Sequence, residues 1–84
     1  MEEYYMIKLI FFRTKREAKE FTDVVGGAIA IGGATAFFEE NFGECDCRKT
    51  LVVGRFAEHE MKSYEKDFGI KKFKKYGRTY YEKV

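Results

Sequence analysis

The succession of patterns along the chain predicts an α+β domain of ferredoxin-like β-α-β-β-α-β type, an antiparallel plait with two helices on one sheet face and room for an extra C-terminal strand. Three observations carry this expectation. Two amphipathic helical stripes each end on glycine, and the segments around them are rich in β-branched and aromatic residues. At 84 residues the chain suffices for one domain, residues 1–84, because a smaller unit buries too little of its unfolded surface.

The first strand is read at residues 4–12, Tyr-Tyr-Met-Ile-Lys-Leu-Ile-Phe-Phe, whose single charge marks a central strand covered on both faces for much of its length. If Tyr5, Ile7, Leu9 and Phe11 face the helices, then Tyr4, Met6, Lys8, Ile10 and Phe12 occupy the other sheet face. That second face is apolar enough to call for a cover: a partner, a second subunit, or another part of the same chain.

Thr14-Lys15-Arg16-Glu17 has the spacing that satisfies orphan amides at a helix start, so the first helix is placed at about residues 14–26. Ala18, Phe21 and Val25 share its apolar stripe, and Gly26-Gly27 supplies the stop. Ala28 to Ile31 lies between two Gly-Gly pairs. The segment resumes from Ala34 to Phe42, and strand is expected for at least this second part. Another strand is read from Cys47 to Phe56 through Leu51-Val52-Val53, after an acidic turn at residues 41–46.

Ala57, Met61, Tyr64 and Phe68 then follow at helical spacing and Gly69 closes the second helix, anchored by packing because no N-cap side chain is evident. The tail from Ile70 to Val84 alternates Ile, Phe and Tyr with lysines around Tyr76-Gly77-Arg78. It reads as one long strand or a terminal hairpin, with the hairpin preferred.

Composition excludes several classes. Net charge is +2, from 16 basic and 14 acidic residues, far from the excess of an indiscriminate polyanion binder. The hydrophobic content of 45% and aromatic content of 18% argue against disorder. The longest uncharged run, Val24 to Phe38, has 15 residues with four glycines, short of the roughly 20 that span a bilayer as a helix. Two cysteines as Cys45-x-Cys47 do not form a secreted disulfide framework, and Met1-Glu2-Glu3 is acidic where a signal peptide is basic. A cytoplasmic setting is therefore expected.

No enzyme chemistry is expected. Gly-Gly-Ala-Ile-Ala-Ile-Gly-Gly lacks the Gly-Lys-Ser/Thr ending of a phosphate loop and reads as a helix stop followed by a tight turn or bulge. Cys45 and Cys47 would need further metal ligands, and His59 is the only histidine. No metal or cofactor follows, with a zinc shared between two subunits left open. His59 and Ser63 can meet on the second helix but lie off its apolar stripe, with no orienting group. The turn after the first strand, Phe12-Arg13-Thr14-Lys15-Arg16, lacks the glycine of the acylphosphatase anion loop.

What remains is segregated charge. Lys71, Lys72, Lys74, Lys75 and Arg78 alternate with Phe73 and Tyr76 and continue to Tyr80, while Glu39, Glu40, Glu44 and Asp46 form an opposing acidic cluster. The expected function is a small non-enzymatic binding protein that inhibits or modulates another protein through its sheet face, acidic turn or basic terminal strand. Compact proteins of this style are common among phage and viral effectors of host enzymes. The alternative is a nucleic-acid module using residues 71–81, with lysines on phosphates and Tyr80 and Tyr81 stacking on bases. A homodimer through the sheet face is compatible with either.

Overall fold

The computed structural model describes residues 5–26, 28–31, 49–75 and 77–84. Its described elements are β1 (Met6–Phe12), α1 (Lys15–Val25), β2 (Ala28–Ile31), β3 (Thr50–Phe56), α2 (Glu58–Phe68), β4 (Ile70–Lys75) and β5 (Arg78–Lys83). Residues 34–42, Cys45 and Cys47, the acidic residues Glu39, Glu40, Glu44 and Asp46, and Tyr4 and Tyr76 lie outside the described residues.

Both helices begin and end where local chemistry dictates. The Thr14 hydroxyl accepts a hydrogen bond from the Glu17 amide at 3.1 Å, and Gly26 ends α1 at a positive φ of 60°. The reciprocal half of the expected capping pair is missing, since the buried Oε2 of Glu17 has no hydrogen-bond partner. In α2 the roles reverse. Ala57 has no capping side chain, but the Glu60 carboxylate accepts from the Ala57 amide at 3.3 Å, and Gly69 closes the helix in the left-handed region.

The sheet is five-stranded and mixed, in the order β2-β3-β1-β5-β4. β1 runs antiparallel to β3 along its whole length, from Met6↔Phe56 to Phe12↔Thr50, and β2 pairs antiparallel with the other edge of β3. The α+β class and the terminal hairpin agree with the sequence; the antiparallel plait does not. A plait sets the strand after the second helix directly beside β1 and antiparallel to it. Here β5 takes that place, parallel to β1, and β4 is displaced to the outside.

The cause is the composition of the hairpin. Tyr80 and Tyr81 are neighbours on one strand, point to opposite faces, and are both buried, which only an internal strand permits. The lysine-rich strand β4 tolerates an edge.

Both helices pack on one face. Ile10, Phe12, Val52, Phe56 and Tyr81 from the sheet enclose Ala18 and Phe21 of α1 and Met61 of α2. Phe21 is the hub: its ring meets Phe12, Phe56, Tyr64 and Phe68 at centroid separations of 5.2, 6.1, 5.4 and 5.0 Å. The alternation of β1 is therefore the reverse of the one expected, because Ile10 and Phe12 face the helices and Phe11 faces away. The proposed interface of Tyr4, Met6, Lys8, Ile10 and Phe12 is corrected accordingly, since Ile10 and Phe12 are core residues and unavailable to a partner or a second subunit.

The opposite face carries a smaller cluster of Phe11, Leu51 and Tyr80, with Leu9, Val53 and Phe73 packed against it. Tyr80 meets Phe11 edge-on and stacks on Phe73, each at 5.6 Å. Phe11 has no exposed surface, so the chain itself closes over the centre of this face, which the sequence reading assigns to the helices. Exposed apolar side chains remain at the start of β1, on Tyr5, Met6 and Ile7.

Gly54 sits opposite Lys8 in β3, where a Cβ would lie 2.8 Å from the Phe56 ring and 2.9 Å from the Cβ of Ala28. Gly54→Ala is expected to cost about 1–3 kcal/mol by overpacking, and Phe21→Ala about 3–5 kcal/mol by emptying the hub. Urea unfolding measures both, and equal losses would contradict the central placing of Phe21.

Candidate functional site

Two surfaces gather the chemistry left over from the core: the outer strand β4, and a cleft where β1 and β5 part. On β4 the alternation places Lys72 and Lys74 on the helix side and Lys71 and Phe73 on the other, set by the register Lys72↔Tyr81 and Phe73↔Tyr80. Lys71, Lys72 and Lys74 are exposed, while Phe73 is half-buried against Tyr80. The Lys71 ammonium lies 5.8 Å from the Phe73 ring centroid, within cation–π range. Lys75 and Arg78 face each other in the ladder on either side of the turn, where Gly77 has φ 76°.

The aromatic residues of the basic segment are turned inward. Tyr80 is 9% exposed and Tyr81 2%, so neither offers a ring face to a base. The structure thus separates the two halves of the basic-aromatic signature that the sequence sets side by side.

The cleft arises from incomplete pairing. β1 and β5 are paired at Ile10↔Tyr81 and Phe11↔Glu82, leaving Met6 to Leu9 with no partner opposite them on that side among the described strands. The opening has a volume of about 340 Å³ and is lined by Met6, Ile7, Lys8, Leu9, Glu58, Lys72, Thr79 and Tyr81. Lys8 belongs to the helix-facing side of β1 and is nearly buried, and its ammonium is neutralised by the Glu58 carboxylate on the first turn of α2. It also stands 6.0 Å from the Tyr81 ring centroid. The hydrogen bond from Lys8 holds the Glu58 carboxyl below the usual range; partial burial opposes this, and the charges of Lys8, Lys72 and Lys62 reinforce it.

Sequence reasoning included Lys8 for a different reason, put Tyr81 and the segment 71–81 that holds Thr79 in the nucleic-acid alternative, and left Glu58 outside any site. Their separation along the chain hides the cleft. His59 is exposed, and the Ser63 hydroxyl donates to the Asp67 carboxylate at 3.3 Å. Among the described residues no group of three or more acidic, histidine or cysteine side chains is placed to hold a metal, and no helix is long and apolar enough to cross a membrane. No family model, curated protein or solved structure matches the chain.

The Tyr81 phenol is pushed up to about 12 by burial, with the negative charges of Glu58 and Glu65 adding to the effect. An unfolded tyrosine titrates near about 10. Between these values the unfolded chain gives up its proton first, so the native state loses stability as pH rises through the window. Tyr81→Phe is expected to flatten that alkaline decline in urea midpoints. Identical alkaline slopes for wild type and Tyr81→Phe would contradict the burial of this phenol.

Proposed function

We propose that this chain is a non-enzymatic binding protein that modulates another protein by docking an acidic surface of that partner along β4. One observation supports this above the others: the outermost described strand of the sheet presents exposed lysines on both of its faces while its aromatic side chain is turned inward. An edge strand offers backbone donors and acceptors for pairing, and its lysines select an acidic neighbour and repel basic ones. The same lysines hinder indiscriminate pairing of copies of the chain, so solubility and selectivity draw on one feature. A phage or viral effector acting on a host enzyme is one setting that suits a module of this size.

The nucleic-acid reading keeps its phosphate contacts but loses its stacking platform, because Tyr80 and Tyr81 are committed to the two cores. Dimerisation through Ile10 and Phe12 has no support, since both are interior. The absence of catalysis is likewise part of the proposal. It is supported by Ser63, whose hydroxyl donates to the Asp67 carboxylate on the same helix.

The test is affinity capture with the wild-type chain and a Lys71→Glu/Lys74→Glu variant at low and high salt. These positions lie outside the cleft, so the two surfaces are probed separately. Proteins bound by the wild type, released by salt and lost from the variant are the expected result. An unchanged captured set for the variant would contradict docking along β4.

A further inference from the structure

The cleft between β1 and β5 gathers polar groups from four elements of the fold. Lys8 and Lys72 bring two positive charges to its walls, and Thr79 and Tyr81 bring two hydroxyl groups. Tyr81 is 2% exposed, lines the opening, and has no hydrogen-bond partner for its hydroxyl among the described residues. That hydroxyl borders the cleft, where it can donate to a ligand acceptor.

Lys8 already shows which kind of group the position holds. Its side chain is 11% exposed and carries the carboxylate of Glu58, which is itself 59% exposed at the start of α2. Glu58 is the exposed member of the pair and can swing into water, provided that an incoming anion takes over the compensation of the nearly buried Lys8 ammonium. With Glu58 swung out, Lys8 and Lys72 leave the opening doubly positive, beside the end of a helix whose dipole favours an anion. The volume of about 340 Å³ exceeds what a single ion needs and lies at the small end of organic ligand sites.

We propose that this cleft binds the oxyanion group of a ligand, a carboxylate or a phosphate, and that Glu58 is a displaceable internal stand-in for it. The ligand's oxygens take the Lys8 ammonium, with Lys72, the Tyr81 hydroxyl and the Thr79 hydroxyl as further donors, and its apolar part lies along Met6 and Ile7. This goes beyond docking along β4 and does not depend on it, because Lys8 and Tyr81 take no part in the outer edge.

Titration of the isotope-labelled chain with inorganic phosphate, succinate and a capped glutamate peptide, against sodium chloride at matched ionic strength, reads the site by amide chemical shifts. Saturable shifts at Lys8, Lys72, Thr79 and Tyr81 are expected with at least one of the three probes. Response to phosphate points to a phosphorylated ligand, response to succinate to a small organic acid, and response to the peptide alone to a side chain of a protein partner.

Glu58→Gln removes the stand-in and should tighten binding about threefold. Lys8→Met should weaken it about tenfold, and Tyr81→Phe about threefold or more with the fold intact. No saturable response beyond chloride, or unchanged or weaker binding by Glu58→Gln, would overturn the proposal. Glu58→Gln and Tyr81→Phe decide the matter even if Lys8→Met does not fold.

Discussion

The arrangement of this small protein depends on one local constraint: two adjacent tyrosines that are both buried, on opposite faces of the sheet. Neighbouring residues on a strand cannot share a face, so Tyr81 enters the core beneath the helices and Tyr80 the cluster with Phe11 and Phe73. A strand covered on both sides belongs inside the sheet, and β5 is therefore set against β1. Its hairpin partner, with four lysines in six residues, is left at the outside, where charged ends reach water and discourage pairing with other chains.

The remaining features follow from that placement. A parallel neighbour for β1 makes the sheet mixed, and because the two strands pair only around Ile10 and Phe11, they part toward the start of β1. The gap lies beside Lys8, nearly buried on the helix side, where an uncompensated ammonium would be costly. Glu58 answers it from the first turn of α2, across 50 residues of sequence. Lys49 and Glu82 form a second ion pair, tying the residue that precedes β3 to the end of β5. Neither pair is a large source of stability, since each remains in reach of solvent. Their effect is to let charges stand close to a core dense in aromatic rings.

The helices were legible because their signals are local. Thr14 and Gly26 bound one, and the stripe of Met61, Tyr64 and Phe68 ending at Gly69 defines the other. The direction faced by β1 was not, for a physical reason: with apolar side chains on both faces, a period of two gives no phase, and the one charge present misleads. Lys8 looks like a marker of the solvent side, yet its ammonium is satisfied by Glu58 on the helix side.

The hairpin was also legible, but its placement in the sheet was not, because element order alone does not say which arm of a hairpin lies inside. The lysines of β4 were readable as a charged edge. The cleft was not, being assembled from β1, α2, β4 and β5 by a fault in pairing that leaves no mark in sequence.

The placing of β5 between β1 and β4 is the claim on which all of this rests, and backbone proton distances from nuclear Overhauser spectra test it most directly. Contacts of Ile10 and Phe11 with Tyr81 and Glu82, in parallel register and with none from β1 to Lys71 through Lys74, are the result expected. Antiparallel contacts between β1 and β4, with β5 on the outside, would contradict it.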